Sequence, residues 1–328
     1  MGTAVEFVEL WRGDILESVH FGHAVVCNGA GEAVMAWGDP DLITYPRSSA
    51  KMIQALPLVE SGAADMVRLG EEQLALACAS HRGAAMHTTR VAAWLQGLGL
   101  GEGDLRCGSH MPSDREAAES LVRAAERPCQ IHNNCSGKHA GFLTLTRHLG
   151  AGPEYVEIDH PVQRAARAAF EETSGETSAG WGVDGCSAPN FAASLTGIAR
   201  AMASFATAGS RGGARAEAQR RLVAAMVAHP ELVSGEGAAC AALMRACGGR
   251  AAVKTGAEGV YVGILPDLGL GVALKIADGA TRASEAVIAA LLVRLGVLEA
   301  GHPVAQRLSS GEQRNWRGIP TGRIVTRL

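Results

Sequence analysis

Tyr45-Pro46-Arg47-Ser48-Ser49-Ala50-Lys51-Met52-Ile53-Gln54 is where the chain changes texture. Before it, residues 4–38 alternate short apolar runs (Val5 to Leu10, His23 to Cys27, Ala33 to Trp37) with turn signals at Arg12-Gly13-Asp14 and Asn28-Gly29. That is the pattern of an antiparallel meander. Pro46 fixes its own φ and disfavours helix at Tyr45, while Ser48 and Ser49 are good N-caps, so a helix is expected to begin here. It should be short, because Pro57 would kink or end it. On a helix Ser48 and Lys51, three residues apart, face the same way and set an amine beside a hydroxyl, as a serine nucleophile needs when no histidine serves as its base. The plainer reading is a capping serine and a surface lysine.

Composition weighs against the plainer reading. Of 30 basic residues only four are lysine: Lys51, Lys138, Lys254 and Lys275. A surface lysine can become arginine at little cost, whereas a lysine that must lose its proton cannot, because guanidinium stays charged. Lys51 follows Ser48 by three residues, Lys138 follows Cys135 at the same offset, and Lys254 opens Lys254-Thr255-Gly256. S-x-x-K alone is a weak signal; joined to a downstream K-T-G it is the signature of serine-lysine acyl transferases.

At 328 residues, 47% hydrophobic and 19% charged, the chain can bury a large core as one sizeable catalytic unit. A net charge of −3 with no basic block excludes a nucleic-acid partner on composition. No apolar run has the length of a membrane span or signal peptide, so a cytoplasmic protein without a membrane partner is expected. Eight irregularly spaced cysteines then read as reduced thiols.

Along the chain, Glu71 to Ala79 and Ala84 to Leu98 read as helices broken at Cys78-Ala79-Ser80-His81-Arg82-Gly83, where Ser80 could simply cap the second. Residues 115–126 read as helix. Cys129-Gln130-Ile131-His132-Asn133-Asn134-Cys135-Ser136-Gly137-Lys138-His139 is the densest cluster of ligand-type residues. Ser136 can cap a helix to His148, leaving Cys135 at a helix N-terminus where the dipole and Lys138 favour thiolate. Helices at about 160–172, 190–206 and 213–228 enclose the loop Gly180 to Pro189. Its G-x-G-x-x-G is rejected as a nucleotide fingerprint, because no strand precedes it and a proline follows. Asp184 and Cys186 there have an ordinary reading, an aspartate in a turn and a buried thiol. Strand texture returns at Ala251 to Thr255, Gly259 to Leu265 and Leu270 to Ile276, and Thr281 to Leu295 reads as a helix packed on that sheet. Residues 302–328 give little signal. The expected class is α+β, an antiparallel sheet built from about 1–45 and 250–300 with a helical middle at about 46–249.

With these residues collected, the chain resembles the rhizobial-type, or class 3, L-asparaginases. The resemblance runs through Glu6 to Asp14, Tyr45 to Gln54, Ala77 to Gly83, His132 to Gly141, Gly182 to Asn190, Lys254 to Val260 and Lys275 to Arg282. It departs at Met52, where proline is commoner. The resemblance implies a fold similar to serine β-lactamases and penicillin-binding proteins, and a homodimer. It implies two serine-lysine pairs, Ser48 with Lys51 and Ser80 with Lys254. It also implies a zinc ion held by Cys135, Lys138 and Cys186, with Asp184 beside the metal-bound water. Arg47, His139, Cys240, Thr255 and Gly256 fall close to the site.

The expected activity is hydrolysis of L-asparagine to L-aspartate and ammonia through an acyl-enzyme. Neutral Lys51, its pKa lowered by burial and neighbouring cations, would take the Ser48 proton. Zinc would organise the pocket rather than generate the nucleophile. Rival readings are a serine-dependent glutaminase, one methylene away in substrate, a β-lactamase-like acyl transferase, or an inactive metal- or amino-acid-binding protein.

Overall fold

The computed structural model describes residues 2–328, which divide into two compact units. The first comprises Met1–Ser49, Ala193–Thr207 and Ala242–Leu328. Its centre is an antiparallel sheet in the order Glu312–Arg314, Pro320–Thr326, Val5–Arg12, Ile15–Cys27, Leu270–Ile276, Val260–Leu265, Ala252–Thr255. Ala33–Trp37 pairs with Ile15–Cys27 off this path, completing the meander expected from residues 4–38. Val260–Leu265 is buried along its whole length. A continuous apolar run rather than an alternating one is what a strand covered on both faces requires.

Two glycines show how the covering works. A Cβ on Gly271 would lie 2.0 Å from the Ala203 nitrogen and 2.3 Å from the Ala199 carbonyl oxygen, so the helix Leu195–Ala206 rests directly on the strand backbone there. Side chains alternate faces along a strand, and Gly263, paired with Val272 next in sequence, faces Ile288 of the helix Thr281–Arg294 instead. The two helices therefore lie on opposite faces. The C-terminal segment, almost silent in sequence, folds as the helix Pro303–Ser309 and two strands, the second registered against Val5–Arg12 from Val8↔Thr326 to Arg12↔Gly322.

The second unit, Ala50–Ala192 with Ala208–Ala241, is mainly helical. Its middle helix, Ser136–His148, is buried at every position from Ser136 to Thr146. A helix buried all round is ordinarily apolar all round, so Ser136, Lys138 and His139 inside it are informative exceptions. The helix gets close to its neighbour through Gly137, whose Cβ would lie 2.4 Å from the Leu76 carbonyl oxygen near the end of Glu71–Ala77. That approach brings Cys78-Ala79-Ser80 beside the start of the Ser136 helix. Among the described residues no helix is long and apolar enough to cross a membrane.

Several local expectations change. Ser48 and Ser49 do not cap an α-helix: Arg47–Ala50 is a 3-10 turn, Lys51–Gln54 follows with Ala50 as its uncapped N-cap, and the Ser49 hydroxyl turns back to the Pro46 carbonyl. The helix stops at Ala55, and Pro57 sits in the first turn of the next one, Leu56–Glu60. Residues 190–194 are strand, not helix. Pro189–Ser194 pairs with Gly180–Val183, and the helix begins only after Ser194, whose hydroxyl accepts from Gly197 N. Ser136 is the first helical residue, with Cys135 in the N-cap position.

Candidate active site

Within the first unit, Ser48 is half-buried in the turn Arg47–Ala50, directly after Arg47 at φ 53°. A non-glycine residue in that left-handed region is strained, and such strain clusters at functional turns. The Ser49 nitrogen and hydroxyl both donate to the Pro46 carbonyl, at 3.1 and 2.7 Å, closing the turn. Lys254 is fully buried at the end of the strand Ala252–Thr255, with Nζ donating to the Thr255 carbonyl at 2.9 Å. Gly256 follows, its Cα so close to this turn that a Cβ would lie 2.5 Å from the Pro46 oxygen and 3.3 Å from the Ser49 nitrogen. The Lys-Thr-Gly segment and the Ser48 segment are thus brought together.

Lys51 and Ser80 belong to the second unit. Lys51 is 1% exposed, and its Nζ donates to the Ala79 carbonyl and to the Ser80 hydroxyl at 2.9 Å. Ser80 therefore does not cap the helix Ala85–Gly97, which begins after Ala84 without a side-chain cap; its hydroxyl meets a lysine. The next residue, His81, is buried and accepts at Nδ1 from Gly83 N, so its Nε2 carries the proton toward Ser136 Oγ at 2.9 Å. Ser136 passes its own proton to the Ile131 carbonyl. Burial first, then the stacked His87, keeps His81 well below the usual imidazole range. A neutral His81 ties the Ser80 loop to the start of the central helix.

That helix start carries the second cluster. Asn133 Oδ1 accepts from Cys135 N at 2.8 Å while its amide donates to the Cys107 and Gly108 carbonyls, fixing the approach to Cys135. Cys186 arrives on the loop of the hairpin Gly180–Val183 and Pro189–Ser194. Asp184 N donates to the Ala188 carbonyl, Ser187 N donates to the Asp184 carbonyl with Ser187 at φ 69°, and the Asp184 carboxylate accepts from Gly185 N. This tight turn, not a phosphate cradle, is what the G-x-G-x-x-G run builds, and it buries Cys186 between exposed neighbours. Lys138 Nζ donates to Cys186 Sγ at 3.1 Å and lies 5.4 Å from the Phe142 ring centre.

The two thiols of this cluster are shifted in opposite directions. A hydrogen bond from Cys135 and the Lys138 cation hold Cys186 well below the usual thiol range against the cost of burial, while Cys135 is pushed well above it by that bond and by burial. The Cys135 thiol has one proton and two acceptors in reach, Asn134 Oδ1 at 3.1 Å and the Cys186 sulfur. Lys138 loses stabilisation to burial but gains more from the two sulfurs, so its pKa is raised. The two shifts favour the thiolate at Cys186, beside the Lys138 ammonium, where the helix dipole alone favours Cys135.

Two sulfurs and one amine converging in a buried site form a soft donor set that suits zinc, once Lys138 and Cys135 give up protons. Among the described residues no group of three His, Cys, Asp or Glu side chains gathers for a metal; here the third donor is the amine. His139 is fully buried, with Nδ1 2.9 Å from the Tyr155 hydroxyl. Cys240 is buried at the start of the helix Ala239–Ala246. None of the eight cysteines is in a disulfide. His81, Tyr155 and Asn133 escape sequence reasoning as site residues, since none belongs to a spaced motif; the density of polar residues from Cys129 to His139 hints at Asn133 alone.

Comparison with known proteins adds the following. The profile of a family described as L-asparaginase II matches residues 8–326. No curated protein matches the sequence. Among solved structures, Mglu in its tris and glutamate form aligns at a TM-score of 0.50 and 15% identity over 92% of this chain and 64% of that one. Native Mglu aligns at 0.49 and 15% over 86% and 65%, so this chain spans just under two thirds of Mglu. A putative β-lactamase from Bacteroides dorei aligns at 0.43 and 13% over 78% and 84%. At such identities the likeness concerns the fold, and the α+β class with its antiparallel sheet is the one expected.

Proposed function

This chain belongs to the L-asparaginase II family, and from that premise we propose that it hydrolyses the side-chain amide of L-asparagine through a serine acyl-enzyme. Ser48 Oγ attacks the amide carbon as the Lys51 amine takes its proton; ammonia leaves, and water then cleaves the ester to give aspartate. The observation that carries this reading is the buried Lys51 amine on the Ser80 hydroxyl at 2.9 Å. In this reading the proton removed from Ser48 would pass through Lys51 to Ser80 and on to the departing nitrogen, with Lys254 supporting the second serine. Backbone N–H groups of Ser48 and of Ala257, after Gly256, would hold the oxyanion, a contribution of about 3 kcal/mol per donor. By the family resemblance, Arg47, Thr255 and Cys240 would fall near the reacting serine, and the enzyme would work as a homodimer.

Zinc held by Cys135, Lys138 and Cys186 would supply an electropositive anchor for a substrate oxygen, with Asp184 as an outer partner. Here the chain's own residues do the rest: Asn133 orients Cys135, and the Asp184 turn delivers Cys186. Elemental analysis should find one zinc per chain, lost in Cys135→Ala and Cys186→Ala. A metal content unchanged in both variants would remove this part of the proposal.

The test of the reaction is ammonia release from asparagine and glutamine, with nitrocefin turnover alongside and Ser48→Ala as control. Asparagine should turn over fastest, and Ser48→Ala should lose activity. Near wild-type turnover by that variant would sink the nucleophile assignment. A thermal shift with asparagine and no ammonia would favour a binding protein. Glutamine is the near rival, because one methylene is worth only about 1–3 kcal/mol in a pocket.

A further inference from the structure

Beside the cluster of sulfurs and amine lies a buried chain of polar groups that the reaction above does not use. Tyr155 is fully buried, and its hydroxyl accepts a hydrogen bond from Arg106 N at 2.7 Å. The same oxygen lies 2.9 Å from His139 Nδ1. Tyr155 is held in place from its other side too, since the Gln163 amide donates to its carbonyl at 2.7 Å. Its ring meets the His139 and Phe142 rings at 5.4 and 6.2 Å between centres.

Proton counting fixes the direction. A phenol has one proton to give, and the Arg106 N–H already occupies one of its lone pairs. If His139 Nδ1 also donated to the oxygen, the phenolic proton would be left buried with no acceptor, an arrangement folded proteins avoid. The phenol therefore donates to Nδ1, and in a neutral imidazole the remaining proton must sit on Nε2. That Nε2 is buried with no hydrogen-bond partner, and Cys186 is among the groups that act on the His139 ring.

We propose that Tyr155 is a positioning residue whose hydroxyl locks His139 with its proton on Nε2, so that the imidazole offers Cys186 a donor and has no lone pair on that side with which to bind a metal. The consequence is a division of labour between neighbours on one helix: Lys138 supplies a ligand and His139 supports one. This deepens the zinc reading and rests on it for that consequence, but the tautomer itself does not.

The experiment has two arms. Long-range proton–nitrogen NMR on metal-free protein should show His139 protonated at Nε2 in the wild type, and a shift toward the other tautomer or an exchanging mixture in Tyr155→Phe, which keeps the ring packing. Zinc titration should then show His139→Gln, whose amide can still donate to the sulfur, within a few-fold of wild type, and His139→Leu weaker by roughly 10–100-fold, the usual cost of losing an outer partner. A wild-type His139 protonated at Nδ1, a tautomer unmoved in Tyr155→Phe, or equal zinc affinity in the two His139 variants would overturn the proposal. Because the first arm uses no metal, it decides the tautomer even in a protein that takes up no zinc.

Discussion

Replacing Gly256 by alanine tests the contact between the Lys-Thr-Gly segment and the Ser48 turn. The added Cβ would sit 2.5 Å from the Pro46 carbonyl oxygen, 3.3 Å from the Ser49 nitrogen and 3.3 Å from Val260 Cβ. Comfortable carbon–oxygen contact begins at about 3.3 Å, so something must move by about 0.8 Å. No flexible side chain can swing aside, because the nearest two atoms are backbone. The Pro46 carbonyl also accepts both hydrogen bonds that close the turn, from Ser49 N and Ser49 Oγ. The displacement must therefore reach Ser48. Overpacking of this kind costs about 1–3 kcal/mol of stability. A nucleophile misplaced by about 1 Å can lose on the order of 100-fold in rate. Urea denaturation followed by circular dichroism would read the first, and ammonia release the second. Gly97→Ala is the control: its Cβ meets open space at the end of the helix Ala85–Gly97, and it should be neutral or stabilising by up to about 1 kcal/mol. A Gly256→Ala protein with wild-type kcat/KM and an unchanged urea midpoint would refute the inferred contact.

Stability should fall on mild acidification. His81 and His87 are both held below the usual imidazole pKa, chiefly by burial, so below about 6.5 the unfolded chain binds protons that the folded one refuses. The stabilisation is complete above about pH 6.5 and declines as pH drops toward the folded values; equal urea midpoints at about pH 7.5 and about pH 5 would contradict it. Thiol accessibility gives another check. Seven of the eight cysteines are buried and only Cys129 is partly exposed, with burial pushing Cys27 and Cys247 up to about 11 and Cys107 up to about 12. Ellman's reagent should titrate about one thiol quickly in native protein and all eight after denaturation, and three or more fast thiols would show the burial to be wrong.

What the sequence discloses is local. The meander before Trp37 and the strands from Ala252 to Ile276 carry their periodicity openly, and the helices flanking Ser80 were placed to within two residues. Pro189–Ser194 misleads because Asn190-Phe191-Ala192-Ala193 has the composition of a helix, and only pairing with Gly180–Val183 makes it a strand. The last strand misleads for the opposite reason: Thr321-Gly322-Arg323 has no apolar pattern, yet a partner strand supplies its hydrogen bonds. In the candidate site, Ser48, Lys51 and Lys254 are marked by motif. The bond from Lys51 to Ser80 is not, and neither is the contact between Tyr155 and His139, because each depends on how the chain folds back on itself. The opposite shifts of Cys135 and Cys186 likewise need the two side chains brought together, which no spacing reveals.

The pairing of Val5–Arg12 with Pro320–Thr326 has a kinetic side. Arg327 reaches back to the Glu9 carboxylate across 318 residues. At a synthesis rate of about 5–20 residues per second, the first strand waits about 15–60 s for its outer neighbour. Its inner neighbour, Ile15–Cys27, follows at once across a short turn and can pair early. Until the last strand arrives, the outer edge of Val5–Arg12 shows bare amide and carbonyl groups to any other extended chain. Long-range closure of this kind also makes for slow refolding from denaturant. Yield during expression should therefore respond to temperature and chaperone supply more than the finished protein's resistance to unfolding would suggest.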